Sequence, residues 1–158
     1  MSALKALSEL EYQERYKNSS IPQYARFKKK FGEKGANQLT HAIITFLNLS
    51  GHQAERISTT GRMIDKRKVV RNCVGQVQQI GSATWIPSSG QKGSADVSAI
   101  IKNKDGIGVS VKIEIKMKDR QSEAQRQYQR QVERAGGQYW LVRSFDEFMN
   151  KYNFLLKS

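Results

Sequence analysis

From Ser110 to Lys118 apolar and polar residues alternate without a break: Val111, Ile113, Ile115 and Met117 against Lys112, Glu114, Lys116 and Lys118. A side-chain period of two belongs to a strand with one buried face and one polar face, so residues 110–118 predict such a strand, with Glu114 and Lys116 on one side of it. Upstream, Ala95–Lys102 reads as a second strand, and Asn103-Lys104-Asp105-Gly106 supplies the turn that joins the two as a hairpin. Pairing Val97 with Ile113, Ala99 with Val111 and Ile101 with Val109 gathers one apolar face. The same register sets Asp96 opposite Glu114, where facing Cβ atoms stand about 4.5–5.5 Å apart and like charges repel. A divalent cation would offset that repulsion. A slip of two residues also keeps both faces and makes Asp96 an ordinary ion-pair partner of Lys112 or Lys116. The hairpin alone leaves the two registers open, and Ile100 falls on the polar face in either.

The length of 158 residues suits one domain with a real core. Lysine and arginine number 27 against 14 acidic residues, a net charge of +13 that excludes cationic partners and points to polyanions, whether nucleic acid or an acidic membrane surface. Affinity of this kind comes largely from counterion release and falls with salt. Cys73 is the only cysteine, which rules out an intrachain disulfide and suits a reducing compartment. His41 and His52 have no Cys/His cluster around them for zinc. No apolar run reaches membrane-spanning length, and Glu9, Glu11 and Glu14 interrupt any signal-peptide core. The expectation is a soluble, cytoplasmic protein with no membrane segment and no small-molecule cofactor.

Taken in order, residues 3–18 predict a helix with Leu4, Leu7 and Leu10 on one side, and Ser19-Ser20-Ile21-Pro22 breaks it. Tyr24–Phe31 interleaves aromatic rings with positive charge, which suits either unstacked bases or a solvated basic arm. From Asn37 to Leu49 the spacing of Leu39, Ala42, Ile43, Phe46 and Leu47 predicts a helix ended by Gly51, with Asn37, His41 and Asn48 on its other side. His52–Ile57 reads as a first strand and Ser58-Thr59-Thr60-Gly61 as a turn. Residues 62–92 are the least legible; Val74–Ile80 and Ala83–Pro87 each suggest a short strand, with Trp85 as an anchor. This region reads as either a surface excursion or a loop that closes on DNA.

Ser122-Glu123-Ala124-Gln125 has the form of a capping box, opening a helix to Ala135 with Ala124, Tyr128, Val132 and Ala135 inward and a basic stripe of Arg126, Arg130 and Arg134. Gly136-Gly137 stops it, Gln138–Arg143 returns as a strand, and Ser144-Phe145-Asp146-Glu147 reads as a second capping box. The terminal helix it opens buries Phe148, Tyr152 and Leu155. The order is that of one α/β domain with an amino-terminal extension.

A carboxylate ahead of a turn, then Glu-x-Lys on a polar strand face, then helix and strand, resembles the PD-(D/E)XK nuclease superfamily. Within it, Lys92-Gly93-Ser94-Ala95-Asp96, Ile113-Glu114-Ile115-Lys116, the Ser122-Glu123-Ala124-Gln125 helix start, and Ala135-Gly136-Gly137-Gln138-Tyr139 followed by Leu141-Val142-Arg143 are similar to the virus-type replication-repair nuclease (VRR-NUC) family. The similarity spans Ala36 to Asn150. It implies a restriction-endonuclease-like core in the order αβββαβ, a mixed sheet flanked by helices, over residues 36–158, with residues 1–35 as a basic extension.

By the same resemblance, Asp96 and Glu114 bind Mg²⁺ or Mn²⁺ with the main-chain carbonyl of Ile115, Lys116 orients the attacking water or stabilises the phosphorane-like state, and Gln125 supports the site. Salt bridging by Lys116 and capping by Gln125 are their ordinary alternatives. Two departures stand out: Ala36–Leu49 holds no acidic residue where family members often carry one, leaving Asn37 in that neighbourhood, and Ala95 replaces the superfamily's proline. Arg56, Arg62, Lys92, Arg126, Arg130 and Arg134 are candidates, as a group, for phosphate contacts. The family implies a homodimeric endonuclease on branched DNA, similar to Holliday-junction resolvases and of the kind encoded by phages or mobile elements. A nicking or degradative nuclease on duplex or flap DNA, and a basic DNA-binding protein with a degenerate site, are the competing expectations.

Overall fold

A computed structural model of the chain describes residues 2–157. Two compact units emerge, one of residues up to Ile57 together with those from Gly93 onward, the other Ser58–Lys92. The first unit is a mixed α/β structure built on a four-stranded sheet.

The hairpin at its centre consists of β6 (Val97–Lys102) and β7 (Gly108–Ile115), preceded in the chain by β1 (Gln53–Arg56) and, in the second unit, by β2 (Arg62–Asp65), β3 (Lys68–Arg71), β4 (Val77–Ile80) and β5 (Ala83–Ile86). The pairing is Val97 with Ile113, Ala99 with Val111 and Ile101 with Val109, the register that brings Asp96 level with Glu114. Its turn is closed by Asn103, whose N–H donates to the Ile107 carbonyl at 2.9 Å and whose side-chain oxygen accepts from the Asp105 and Ile107 N–H groups. β7 is shorter than the alternation suggests. It stops at Ile115, although the Lys116 N–H still donates to Val142 O at 3.0 Å.

β1 lies antiparallel against β6, and β8 (Gln138–Val142) lies parallel to β7 on the far side, giving the order β1-β6-β7-β8. One sheet face is apolar: Val97, Ala99, Ile101, Val111, Ile113 and Val142 have no exposed surface. Against it pack Leu39, Ala42, Ile43 and Leu47 of α2 (Ala36–Leu49) and Phe145, Phe148, Tyr152 and Leu155 of α4 (Phe145–Lys157). Each such side chain contributes about 1.5–3 kcal/mol when fully buried. Leu7 of α1 (Ala3–Tyr16) joins the same core. Trp140 and Val142 take the apolar side of β8, which turns Tyr139 towards the opposite face.

That second face carries Glu114 and receives α3 (Glu123–Arg134). The capping box at its start is complete: Ser122 Oγ accepts from Gln125 N–H, and Gln125 Oε1 accepts from Ser122 N–H at 2.9 Å. Both α2 and α3 end on a left-handed glycine, Gly51 and Gly136, with the paired carbonyl contacts of a Schellman motif. Ala124, Tyr128 and Val132 are half-buried, but Ala135 is exposed, because the helix ends at Arg134 and Ala135 is already its C-cap before the left-handed Gly136. The second capping box is only half formed. Ser144 Oγ accepts from Glu147 N–H at 3.1 Å, whereas the Glu147 carboxylate reaches the Arg143 N–H one residue further back. Glu33 satisfies another donor at the start of α4 by accepting from the Phe145 N–H at 2.6 Å.

Gly93 holds the two halves of the site face together. Its φ is +84°, and a Cβ there would meet the Ala124 carbonyl group at 2.5 Å. Gly93→Ala therefore combines a left-handed penalty of about 1–2 kcal/mol with overpacking of about 1–3 kcal/mol. Urea denaturation should show the larger loss at Gly93. Gly51→Ala, at φ +78° with nothing within 4 Å, should cost only the backbone part.

Candidate active site

Four chain segments end at one edge of the sheet because β1 runs antiparallel to β6, β6 antiparallel to β7, and β7 parallel to β8. The carboxyl ends of β1, β7 and β8 and the amino end of β6 therefore meet. Asp96 stands there, just before β6; its main-chain carbonyl accepts from the Ile57 N–H at 2.8 Å and its Oδ2 accepts from the Ile115 N–H at 2.8 Å. These two bonds fix the aspartate from both neighbouring strands.

Glu114 is only 2 % exposed, although the alternation had placed it on a polar face. α3 and Tyr139 cover it. Its Oε1 is held by the Lys116 ammonium at 3.2 Å and by the Gln125 amide, and its Oε2 lies 3.5 Å from the Tyr139 hydroxyl, which donates to it. Burial first, and the Asp96 charge second, push the Glu114 carboxyl above its ordinary range, with Lys116 and Tyr139 pulling it back. The Tyr139 hydroxyl is in turn pushed up by burial and by the charge of Glu114. Gln125 makes two sets of contacts: its backbone and side-chain oxygen cap α3 while its amide nitrogen reaches the Glu114 carboxylate.

The remaining candidates divide. Arg56 pairs in register with Val97, next to Asp96, and its guanidinium donates to Asn37 Oδ1 at 2.8 Å, so this arginine and the first turn of α2 meet beside the site. The Asn37 oxygen is thereby taken up. Arg126 and Arg130 are exposed on α3 but share Glu123, at 2.9 and 3.1 Å, and Arg134 is exposed in the last turn. Arg62 and Lys92 belong to the second unit rather than to the one that carries Asp96 and Glu114. Neither histidine faces this edge. His52 Nδ1 accepts from the Lys102 N–H, which leaves its Nε2 to donate to Tyr152 at 2.9 Å, and His41 sits beside Lys29 and Phe31. Asn48 clamps β1 through both the N–H and the carbonyl of Ala54.

Tyr139 is the site residue that sequence reasoning passed over. Only the alternation of β8, with Trp140 and Val142 inward, signals that Tyr139 shares the face of Glu114.

The donor set fits a hard divalent cation. Two carboxylates, Asp96 and Glu114, stand against the single ammonium of Lys116, so the oxygen donors outnumber the cation among them. Among the described residues no group of three or more His, Cys, Asp or Glu side chains comes together. Protein oxygens for an ion here would be those of Asp96, Glu114 and the Ile115 carbonyl, a small set of the kind Mg²⁺ uses alongside water and substrate phosphate. Comparison with family models, curated proteins and solved structures gave no match.

Because the Glu114 carboxyl is raised in the folded state, the stability it contributes is present in full below the unfolded value near 4.5 and is lost as pH rises through the folded one. Glu114→Gln should therefore gain on the wild type as pH rises above about 4.5, in urea titrations run in EDTA. A gap that stays constant across pH would remove the assignment of a strained carboxylate.

Proposed function

We propose that this chain is a metal-dependent endodeoxyribonuclease of the VRR-NUC type, with a restriction-endonuclease-like core, acting as a homodimer on branched DNA. The observation that carries the reading is the meeting of Asp96, Glu114, Lys116 and Gln125 at one sheet edge, with Asp96 bonded to the Ile115 N–H and Glu114 to both Lys116 and Gln125. When bound, Mg²⁺ or Mn²⁺ supplies a hydroxide at neutral pH and draws charge from the phosphate.

Asp96 is fixed by the Ile115 N–H, and Glu114 is oriented by Gln125 and Tyr139, so both carboxylates are held in place. The Lys116 ammonium, half-buried beside Glu114, is placed to orient a water or to meet negative charge growing on the phosphoryl oxygens. Arg56, adjacent to Asp96, and the exposed Arg126, Arg130 and Arg134 are suited to hold the phosphodiester backbone. The net charge of +13 favours the polyanion throughout. A second reading, a basic DNA-binding protein that does not cut, draws on the fact that Glu114 Oε1 is already held by both Lys116 and Gln125.

Labelled branched, duplex and single-stranded DNA, each with Mg²⁺ or with EDTA, separates these readings. Cutting of branched DNA in Mg²⁺ alone is expected. Asp96→Ala and Lys116→Ala should each lower the cleavage rate about 10²-fold or more with little change in affinity. Equal cutting of every substrate would remove the branched-DNA preference. Binding without cutting would favour the second reading.

A further inference from the structure

Ser58–Lys92 is a β-ribbon with no core of its own: none of its residues is buried. One edge is β2 (Arg62–Asp65) followed by β3 (Lys68–Arg71); the other is β4 (Val77–Ile80) followed by β5 (Ala83–Ile86). β3 pairs with β4 and β2 with β5, each antiparallel, and the two ladders are joined where the Lys66 N–H donates to Ser82 O at 3.1 Å. Gly81 makes that junction possible, since at φ +97° a Cβ would stand 2.5 Å from Lys66 O. Asn72 closes the tip through the Gly75 and Gln76 N–H groups and leaves Val74 78 % exposed. Trp85, expected as an anchor, lies against Gly61 and opposite Met63 and is 59 % exposed.

Charge on the ribbon is one-sided. Arg62, Lys66, Arg67, Lys68 and Arg71 all lie along the β2–β3 edge, whereas the β4–β5 edge carries none and offers Gln78, Gln79 and Thr84 instead. Asp65 is the sole carboxylate in the unit, and Arg67 takes it at 2.6 Å. A second copy would bring like charge to like charge. A flat anionic membrane would cover one face, yet large apolar side chains stand exposed on both, Met63 and Trp85 on one, Ile86 on the other.

We infer that this ribbon lies in the major groove of duplex DNA, its β2–β3 edge along a phosphate row and its β4–β5 edge towards the base edges. A two-stranded ribbon fits a groove about 12 Å wide. The charged edge consists of two four-residue strands, each about 13 Å long, joined at Lys66-Arg67, where the Arg67 N–H donates to Asp65 Oδ1 at 2.9 Å. Glutamine amides pair with adenine edges, and exposed apolar groups meet thymine methyls. The inference extends the DNA reading above but does not need the chain to cut.

Fluorescence anisotropy in EDTA, with the full chain, a labelled 25-base-pair duplex and one of its single strands over a salt series, tests it. Lys68→Gln with Arg71→Gln keeps the exposed ladder and should weaken duplex binding about tenfold or more. The slope of log affinity against log salt should fall by about 2, with single-strand binding much less affected. Gln78→Ala with Gln79→Ala should leave that slope intact while narrowing the affinity spread among duplexes of different sequence. Equal losses on duplex and single strand, no loss at all, or a drop in oligomeric state by light scattering would each overturn the groove assignment. A wild type that never cuts, but whose ribbon variants lose duplex affinity as described, would sink the nuclease reading and leave the ribbon standing.

Discussion

The pairing of Val97 with Ile113 is the constraint on which the site depends. One register brings Asp96 level with Glu114, and a slip of two would have made Asp96 a plain partner of lysine. Three features select the first. The Asn103 turn closes on Ile107 with both backbone and side-chain bonds, β1 and β8 both key onto the hairpin's core residues, and Asp96 itself caps the Ile115 N–H. A shifted hairpin would lose all three while gaining one surface ion pair worth about 1 kcal/mol or less.

With the register set, the site is a matter of charge held out of water. Burying the Glu114 carboxylate is unfavourable unless its oxygens are met. Lys116, Gln125 and Tyr139 meet them, and α3 is brought close enough for Gln125 to reach by the approach of Gly93 to Ala124. The glutamine therefore couples the start of a helix to a carboxylate on a strand. Preorganisation of this kind is what catalysis by fixed dipoles requires, and it is also what a purely structural ion network would show.

The two units balance their surfaces differently. In the first, an apolar sheet face is sealed by α1, α2 and α4, and Leu7 shows that the amino-terminal helix shares in that seal. The ribbon has no such cover. Its valines, Met63 and Trp85 stay in water beside a row of cations.

The central hairpin, the α2 helix, the complete capping box at Ser122 and the closing strand and helix were legible because each is a local signal: a period of two or 3.6, a turn residue, a cap. Half of the ribbon was legible too, since β4 and β5 fall within the short strands expected over Val74–Ile80 and Ala83–Pro87, whereas β2 and β3, four residues long and largely exposed, carry no hydrophobic period. Glu147 binding back to Arg143, Ala135 left in solvent, and Glu33 capping α4 from 112 positions away were equally out of reach. The sequence by itself determined which residue types alternate, where helices start and stop, and that the chain carries a large excess of positive charge. Only the tertiary structure decided that Glu114 is buried, that Tyr139 and Gln125 hold it, and that Arg56 joins Asn37 beside Asp96. Those are contacts between segments far apart in the chain, and periodicity carries no information about them.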